Sequence, residues 1–338
     1  MKPFKGLGGF GPSGAPFSGA GSGRLGVISI PAPAKVNLSL RVLGRRPDGY
    51  HELRGLMARL SWGDTVTIAL WAEEGLERPG EDALTYEGLW EGEADQAFAG
   101  PSNLALRAAA AYREATGFPE GPLSIHLLKR IPLASGLGGG SSDAASVLTA
   151  LERAAGSRGL GRERLSILGA SLGGDVPFFL HGSPLLVASG IGERLIPFGG
   201  ILPGEAVLLA NPGRPLSTAA VFGRLGLTRG QSSSKSLSAA AAGAAWPEPQ
   251  DASESSLLGR NDLLRPALEL DPELDKARLM LEALKPAPLA IGLSGSGPTF
   301  WALYRSCEEA ALAAELLKAM AIAERPGERW RVIATRVA

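Results

Sequence analysis

The sequence predicts an α+β protein of two domains. Its 338 residues exceed a single typical domain of about 100–200 residues. Strand patterns gather in sets with helical stretches between them, once before residue 195 and again after it. Each half also carries a glycine turn at a strand end, at 132–142 and at 294–297.

Residues 1–27 are rich in Gly, Ser and Pro, lack acids, and are expected to form a disordered tail. Gly6, Gly8 and Gly11 satisfy G-x-G-x-x-G there, but no strand precedes them and no helix follows, so the dinucleotide reading fails. A first domain is expected over 28–195. Apolar runs at 27–30 and 36–42, separated by Pro31 and Pro33, read as strands, as does the alternating stretch 65–70. A helix starts at Ser102-Asn103 and runs to about Tyr112. A strand at 124–128 enters the glycine loop, and helices follow at 142–155 and 162–172. Further strands are expected at 185–188 and 206–210.

The second domain is expected over 196–338. It contains a low-complexity stretch at 229–256, read as a surface loop. Helices are expected at 262–270, 272–284 and 308–321, with strands at 289–293, 299–304 and 330–337.

Composition narrows the function. Lys+Arg and Asp+Glu number 34 each, so the net charge is zero, and nucleic acid as a partner is not expected. No apolar run reaches membrane-spanning length. The single cysteine, Cys307, permits no internal disulfide and fits a reducing, cytoplasmic setting, with plastid import left open. His51, His126 and His181 show no metal-ligand spacing. Oligomeric state is not legible.

The most informative segment is Pro132-Leu133-Ala134-Ser135-Gly136-Leu137-Gly138-Gly139-Gly140-Ser141-Ser142. Strand, glycine loop and helix start in that order make a phosphate cradle, because backbone N–H groups converge where the helix dipole is positive. No Gly-Lys-Ser/Thr follows, so it is no Walker loop, and Ser141 replaces the third Rossmann glycine. Ser141 and Ser142 offer hydroxyls to a phosphate or a Mg²⁺ ion. Asp143 reads as a residue complementing the helix dipole.

Three further segments stand out. Gly173-Gly174-Asp175-Val176-Pro177-Phe178-Phe179 sets a carboxylate among apolar residues, suited either to a turn or to a general base. Leu293 to Thr299 is a Ser-Gly turn between two strands. Lys35 enters a strand at Pro33-Ala34-Lys35-Val36-Asn37-Leu38, and Tyr50-His51 follows the turn Arg46-Pro47-Asp48-Gly49. That aromatic pair suits either a solvated surface or the stacking and reading of a base.

In this order and spacing, the segments resemble the GHMP kinase superfamily: 32–37, 132–145 and 293–299 match its three motifs. Lys35-Val36-Asn37-Leu38, the 46–51 turn, Gly174 to Phe178 and Arg260-Asn261-Asp262-Leu263 most resemble the branch acting on a diphosphocytidyl methylerythritol alcohol. The resemblance implies a ribosomal protein S5 domain 2-like N-terminal domain, a ferredoxin-like C-terminal domain, ATP as co-substrate, and Mg²⁺. It implies Asp175 as catalytic base, Lys35 as the charge orienting the hydroxyl, and 132–142 around the ATP phosphates. It also implies Tyr50 and Phe222 on either face of a cytosine, His51 at the base's polar edge, and Asn37 and Thr218 at the methylerythritol end. Ala219 stands where some relatives have proline, which loosens the register from 218 to 222. A homoserine or mevalonate type of kinase is the alternative, and a non-catalytic nucleotide-binding protein a more distant one.

Overall fold

One strand of 21 residues, β3 (His51–Trp71), organises the larger of two sheets. The computed structural model describes residues 24–72, 80–88, 96–230, 257–324 and 330–338. The glycine decoy at 6–11 and the stretch 231–256 lie outside the described residues. Along one edge of β3 run β1 (Arg24–Asn37) and then β2 (Arg41–Arg45), both antiparallel. The other edge takes β5 (Leu123–Leu128) and β6 (Leu185–Gly190). Parallel β4 (Ala83–Glu87) and antiparallel β7 (Arg194–Pro197) close the sheet in the order β4-β5-β3-β6-β7.

The alternation that marks strands also buries one face. Residues Val66, Ile68 and Leu70 of β3, with Leu123, Ile125 and Leu127 of β5, point inward. They pack on α1 (Leu104–Thr116), α2 (Gly139–Ala155), α3 (Arg162–Leu172) and α4 (Val176–Leu180) through Ala108, Tyr112, Leu148, Leu165 and Val176. Each large side chain buried in this way contributes about 1.5–3 kcal/mol before entropy is charged against it. The Asn103 side chain caps α1 by accepting from the Ala105 N–H at 2.9 Å.

The smaller sheet holds β8 (Ala206–Asn211), β9 (Ala290–Leu293), β10 (Phe300–Tyr304) and β11 (Arg331–Arg336). Its order is β11-β8-β10-β9 and every pair is antiparallel. Helices α5 (Thr218–Gly223), α6 (Leu264–Leu270) and α7 (Leu274–Ala283) lie between β8 and β9, and α8 (Cys307–Glu324) between β10 and β11. This is the β-α-β-β-α-β plan of a ferredoxin-like domain, as expected. Both faces of β8 and β10 are buried. Leu208, Ala210, Phe300 and Ala302 face Leu281 and Leu317, while Val207, Leu209, Trp301 and Leu303 share a core with Val36, Leu38 and Leu56 of the first sheet.

Several expectations shift. β1 begins at Arg24, opposite Trp71, so residues 24–27 of the expected tail are paired in the sheet. Pro31 and Pro33 do not interrupt it, because β1 is paired on one side only among the described residues and an edge strand tolerates a missing donor. The strand expected at 36–42 is instead the end of β1 and the start of β2. The division expected at 195/196 falls inside β7, and 198–205 lead on to β8. Short β4, β7, α4 and α5 carry too few residues for a periodic signal.

Candidate active site

The loop between β5 and α2 turns through left-handed backbone at Ala134, Gly136 and Gly138, with φ of 50°, 78° and 75°. At Gly136 the reason is contact: a Cβ would stand 2.2 Å from the Ser294 carbonyl oxygen. The Ser294 hydroxyl donates to the Gly136 carbonyl at 2.9 Å and accepts from the Asn37 N–H at 3.3 Å. The Lys35 N–H donates to the Leu137 carbonyl at 3.0 Å. Two distant segments, at 35–37 and at Ser294, thus close around one loop.

α2 then begins with Gly138 as N-cap, without a side-chain cap. The N–H of Ser142 is bonded to the Gly138 carbonyl, leaving the N–H groups of the first turn facing the loop mouth. Such a terminus attracts an anion. The buried Ser142 hydroxyl has no hydrogen-bond partner among the described residues. Ala134 and Gly140 are exposed, whereas Pro132, Ser135 and Leu137 are buried.

Lys35 and Asp175 meet beside this loop. The ammonium lies 3.3 Å from Asp175 Oδ2 and donates to Asn37 Oδ1 at 2.6 Å. The lysine side chain is 5% exposed and that of Asp175 36%. Asp175 occupies the N-cap position of α4, yet its side chain makes no cap bond, so the half-exposed carboxylate faces Lys35 instead. A Cβ on Gly138 would touch both Lys35 Cγ and Phe179 Cζ at 3.0 Å, which places the glycine loop against the Lys35–Asp175 pair.

A second group forms where β3 begins. The His51 and Phe222 rings lie 4.7 Å apart at 30°, while Tyr50 is 62% exposed beside them. Burial and then the Arg45 charge hold the His51 pKa below the usual histidine value. Thr218 and Phe222 sit four residues apart on α5, one helical turn, and so share a face. The Thr218 and Ser296 hydroxyls share a hydrogen bond of 3.0 Å, and Ser296 follows Gly295, whose Cβ would lie 3.5 Å from Asn37 Oδ1. Leu53 pairs with Gly190, and a Cβ on Gly192 would come 3.7 Å from Asp175 Oδ1. The Asp175 carboxylate therefore lies near the Gly190 end of β6, where β3 begins with the aromatic group, while Lys35 stands further along β3, opposite Arg59.

Beneath the loop lies a network that sequence reasoning missed. The buried Lys129 ammonium bonds to Asp64 and, at 2.6 Å, to Asp143. The other Asp64 oxygen accepts the Ile131 N–H at 2.8 Å. Asp143 is therefore no dipole-complementing residue: α2 starts four residues earlier, at Gly139, and Asp143 turns into the core. Burial pushes its carboxyl up to about 6, with Lys129 opposing and Asp64 adding to the shift. Burial works against the Lys129 charge, but Asp143 and Asp64 hold its pKa above the ordinary value. A signal was present, since Asp64 and Lys129 each border an apolar strand where a charge without a partner would be costly. Among the described residues no group of three His, Cys, Asp or Glu could hold a metal ion, and no helix is long and apolar enough to cross a membrane.

The model of the GHMP kinases N terminal domain matches residues 103–183. The 4-diphosphocytidyl-2-C-methyl-D-erythritol kinase of Parvibaculum lavamentivorans is 39% identical over 302 residues, covering 87% of this chain and 94% of its own. That of Geobacter metallireducens is 38% identical over 312 residues, covering 91% and 98%. A crystal structure of 4-(cytidine 5'-diphospho)-2C-methyl-D-erythritol kinase superposes with TM-score 0.63 at 35% identity, covering 92% of this chain and 100% of that one. Homoserine kinase from Cytophaga hutchinsonii, with TM-score 0.62 at 18% identity over 95% and 96% of the two chains, shares the fold.

Proposed function

Because this chain belongs to the 4-diphosphocytidyl-2-C-methyl-D-erythritol kinase family within the GHMP kinases, we propose that Lys35, Asp175 and the loop at 132–142 carry out its phosphoryl transfer. The protein is an ATP-dependent phosphotransferase acting on an alcohol group of 4-diphosphocytidyl-2-C-methyl-D-erythritol. The acceptor is the 2-hydroxyl, which places the reaction in the non-mevalonate route to isoprenoid precursors. Its setting is the cytoplasm, in keeping with one unpaired cysteine.

The observation that carries this reading is the 3.3 Å pair of Lys35 and Asp175 beside Gly138. ATP phosphates rest on the N–H groups of the loop and of the first turn of α2. The Asp175 carboxylate accepts the proton of the acceptor hydroxyl. The freed oxygen forms its bond to the γ-phosphorus as the bond from that phosphorus to ADP breaks. Lys35 orients Asp175 and offsets the negative charge that develops on the attacking oxygen. Positioning supplies most of the remaining acceleration.

A magnesium ion, when bound, neutralises charge on the β- and γ-phosphates. The buried Ser142 hydroxyl, without a partner among the described residues, fits an oxygen ligand for it. Magnesium characteristically takes one or two protein oxygens and leaves the rest of its shell to phosphates and water.

Tyr50, His51 and Phe222 form the cytosine end, and Asn37 and Thr218 line the path from it to Asp175. The decisive experiment is an ADP-release assay with the diphosphocytidyl alcohol, homoserine and mevalonate in parallel. Turnover with the first alone supports the reading. Turnover with either of the others, or with none, overturns it.

A further inference from the structure

Arg59 of β3 stands opposite Lys35 in the β1–β3 register, and its guanidinium reaches the far end of α4. There Nη2 donates to the carbonyl oxygens of Phe178 at 3.4 Å, of Ser183 at 3.2 Å, and of His181. The guanidinium carbon lies 5.9 Å from the centroid of the Phe178 ring. The carbonyls that end a helix have no partners within it, and a cation at that end is favoured by the dipole. Arg59 answers both needs. Burial lowers its pKa, but a guanidinium remains charged throughout the working pH range.

α4 has five residues, so it is a rod of about 7.5 Å. One end is gathered by Arg59. The other is capped by Asp175, whose carboxylate is not spent on the cap. The short helix therefore transmits the position of its C-terminal end to Asp175. The cross-strand neighbour of Arg59 is Lys35, the partner of Asp175. A single rung of the sheet thus anchors both members of the pair, one directly and one through α4.

We propose that Arg59 is a positioning residue for the phosphoryl transfer, setting the placement of Asp175 against Lys35 by holding the carbonyls at the end of α4. This rests on Asp175 as the base. A lysine is not equivalent, because all three carbonyls are reached by Nη2 and a lysine ammonium ends one bond short of that position.

The test compares Arg59→Ala and Arg59→Lys with the parent in steady-state kinetics on both substrates. In each variant kcat should fall about tenfold or more, while both KM values stay within about twofold, because the lost interaction acts on the chemical step. Guanidinium ion at tens of millimolar should restore part of the kcat of Arg59→Ala. In an Asp175→Asn background Arg59→Ala should cost nothing further, as expected for residues acting as one unit. A kcat within twofold of the parent, a rise in KM with kcat unchanged, or full additivity with Asp175→Asn would overturn the proposal. Should Arg59→Ala fail to fold, Arg59→Lys and Arg59→Gln carry the same comparison. Turnover retained by Asp175→Asn alone would instead remove the base assignment itself.

Discussion

Lys35 places its buried ammonium 3.3 Å from the partly open carboxylate of Asp175. The lysine is further committed to Asn37, whereas the aspartate keeps an oxygen toward Gly192 and the cleft. A buried cation beside a half-open carboxylate suits a base that must meet a substrate. Asp175→Asn should lower kcat by about 100-fold or more, the range for losing a general base. The KM for ATP should change little, because the phosphate loop does not use the carboxylate. Steady-state kinetics at saturating ATP measure both, and near-normal turnover would exclude the role.

Tyr50→Ala should act on binding. Loss of one stacking ring costs about 1–3 kcal/mol, so the KM for the cytidyl substrate should rise about tenfold with the KM for ATP unchanged. An unaltered KM would take Tyr50 out of the site.

His51 yields a prediction about pH. Its pKa lies below the usual value of 6.5, through burial and then Arg45. The ring is therefore mostly neutral at that value, increasingly so above it, and gains its proton in more acidic solution. If the neutral ring reads the base, the KM for the cytidyl substrate should be flat from about pH 7 to 8. It should rise on the acid side, and the His51→Gln variant should lack that rise. A KM that climbs between pH 7 and 8 in step with His51 would contradict the assignment.

At Gly136, substitution meets two obstacles at once. The backbone is left-handed, and an added Cβ would stand 2.2 Å from the Ser294 oxygen. Gly136→Ala should cost on the order of 2 kcal/mol or more of stability and weaken ATP binding, because the loop must withdraw from Ser294. Thermal unfolding and nucleotide titration test it together. An unchanged Tm would show that the contact yields.

Asp143 couples stability to pH. Its folded pKa of about 6 lies above the ordinary 3.8, so the folded state binds the extra proton. That advantage is present at low pH and is lost as pH rises from about 4 to about 6. The Asp143→Asn side chain cannot ionise. Its stability relative to the parent should therefore increase over that interval, by on the order of 2 kcal/mol. Denaturant unfolding at pH 4 and pH 7 gives the comparison, and a constant difference would refute the shift.

Much of this was legible in the sequence because local rules act alone there. Alternation marked the 65–70 part of β3, and Asn103 announced the start of α1. The run 132–142 announced a strand, a glycine loop and a helix start because the three are contiguous. What escaped depends on distance. Nothing local says that Asp64 and Asp143 share Lys129, or that Arg59 reaches the end of α4. Each side chain looks ordinary until the β1–β3–β5 register brings its partner near. Pro31 and Pro33 misled for a related reason. Their cost depends on which edge of the strand is paired, and composition carries no such information.

The Ser294 hydroxyl joins Gly136, 158 positions earlier, to Asn37, 257 positions earlier. Contacts across such separations form late, because the intervening chain must first be ordered. During synthesis the glycine loop emerges long before the turn after β9 that braces it. A chain interrupted ahead of β9 would carry the loop without its brace and would bind ATP weakly. The shape of the loop at 132–142 is therefore complete only once the turn after β9 has been made.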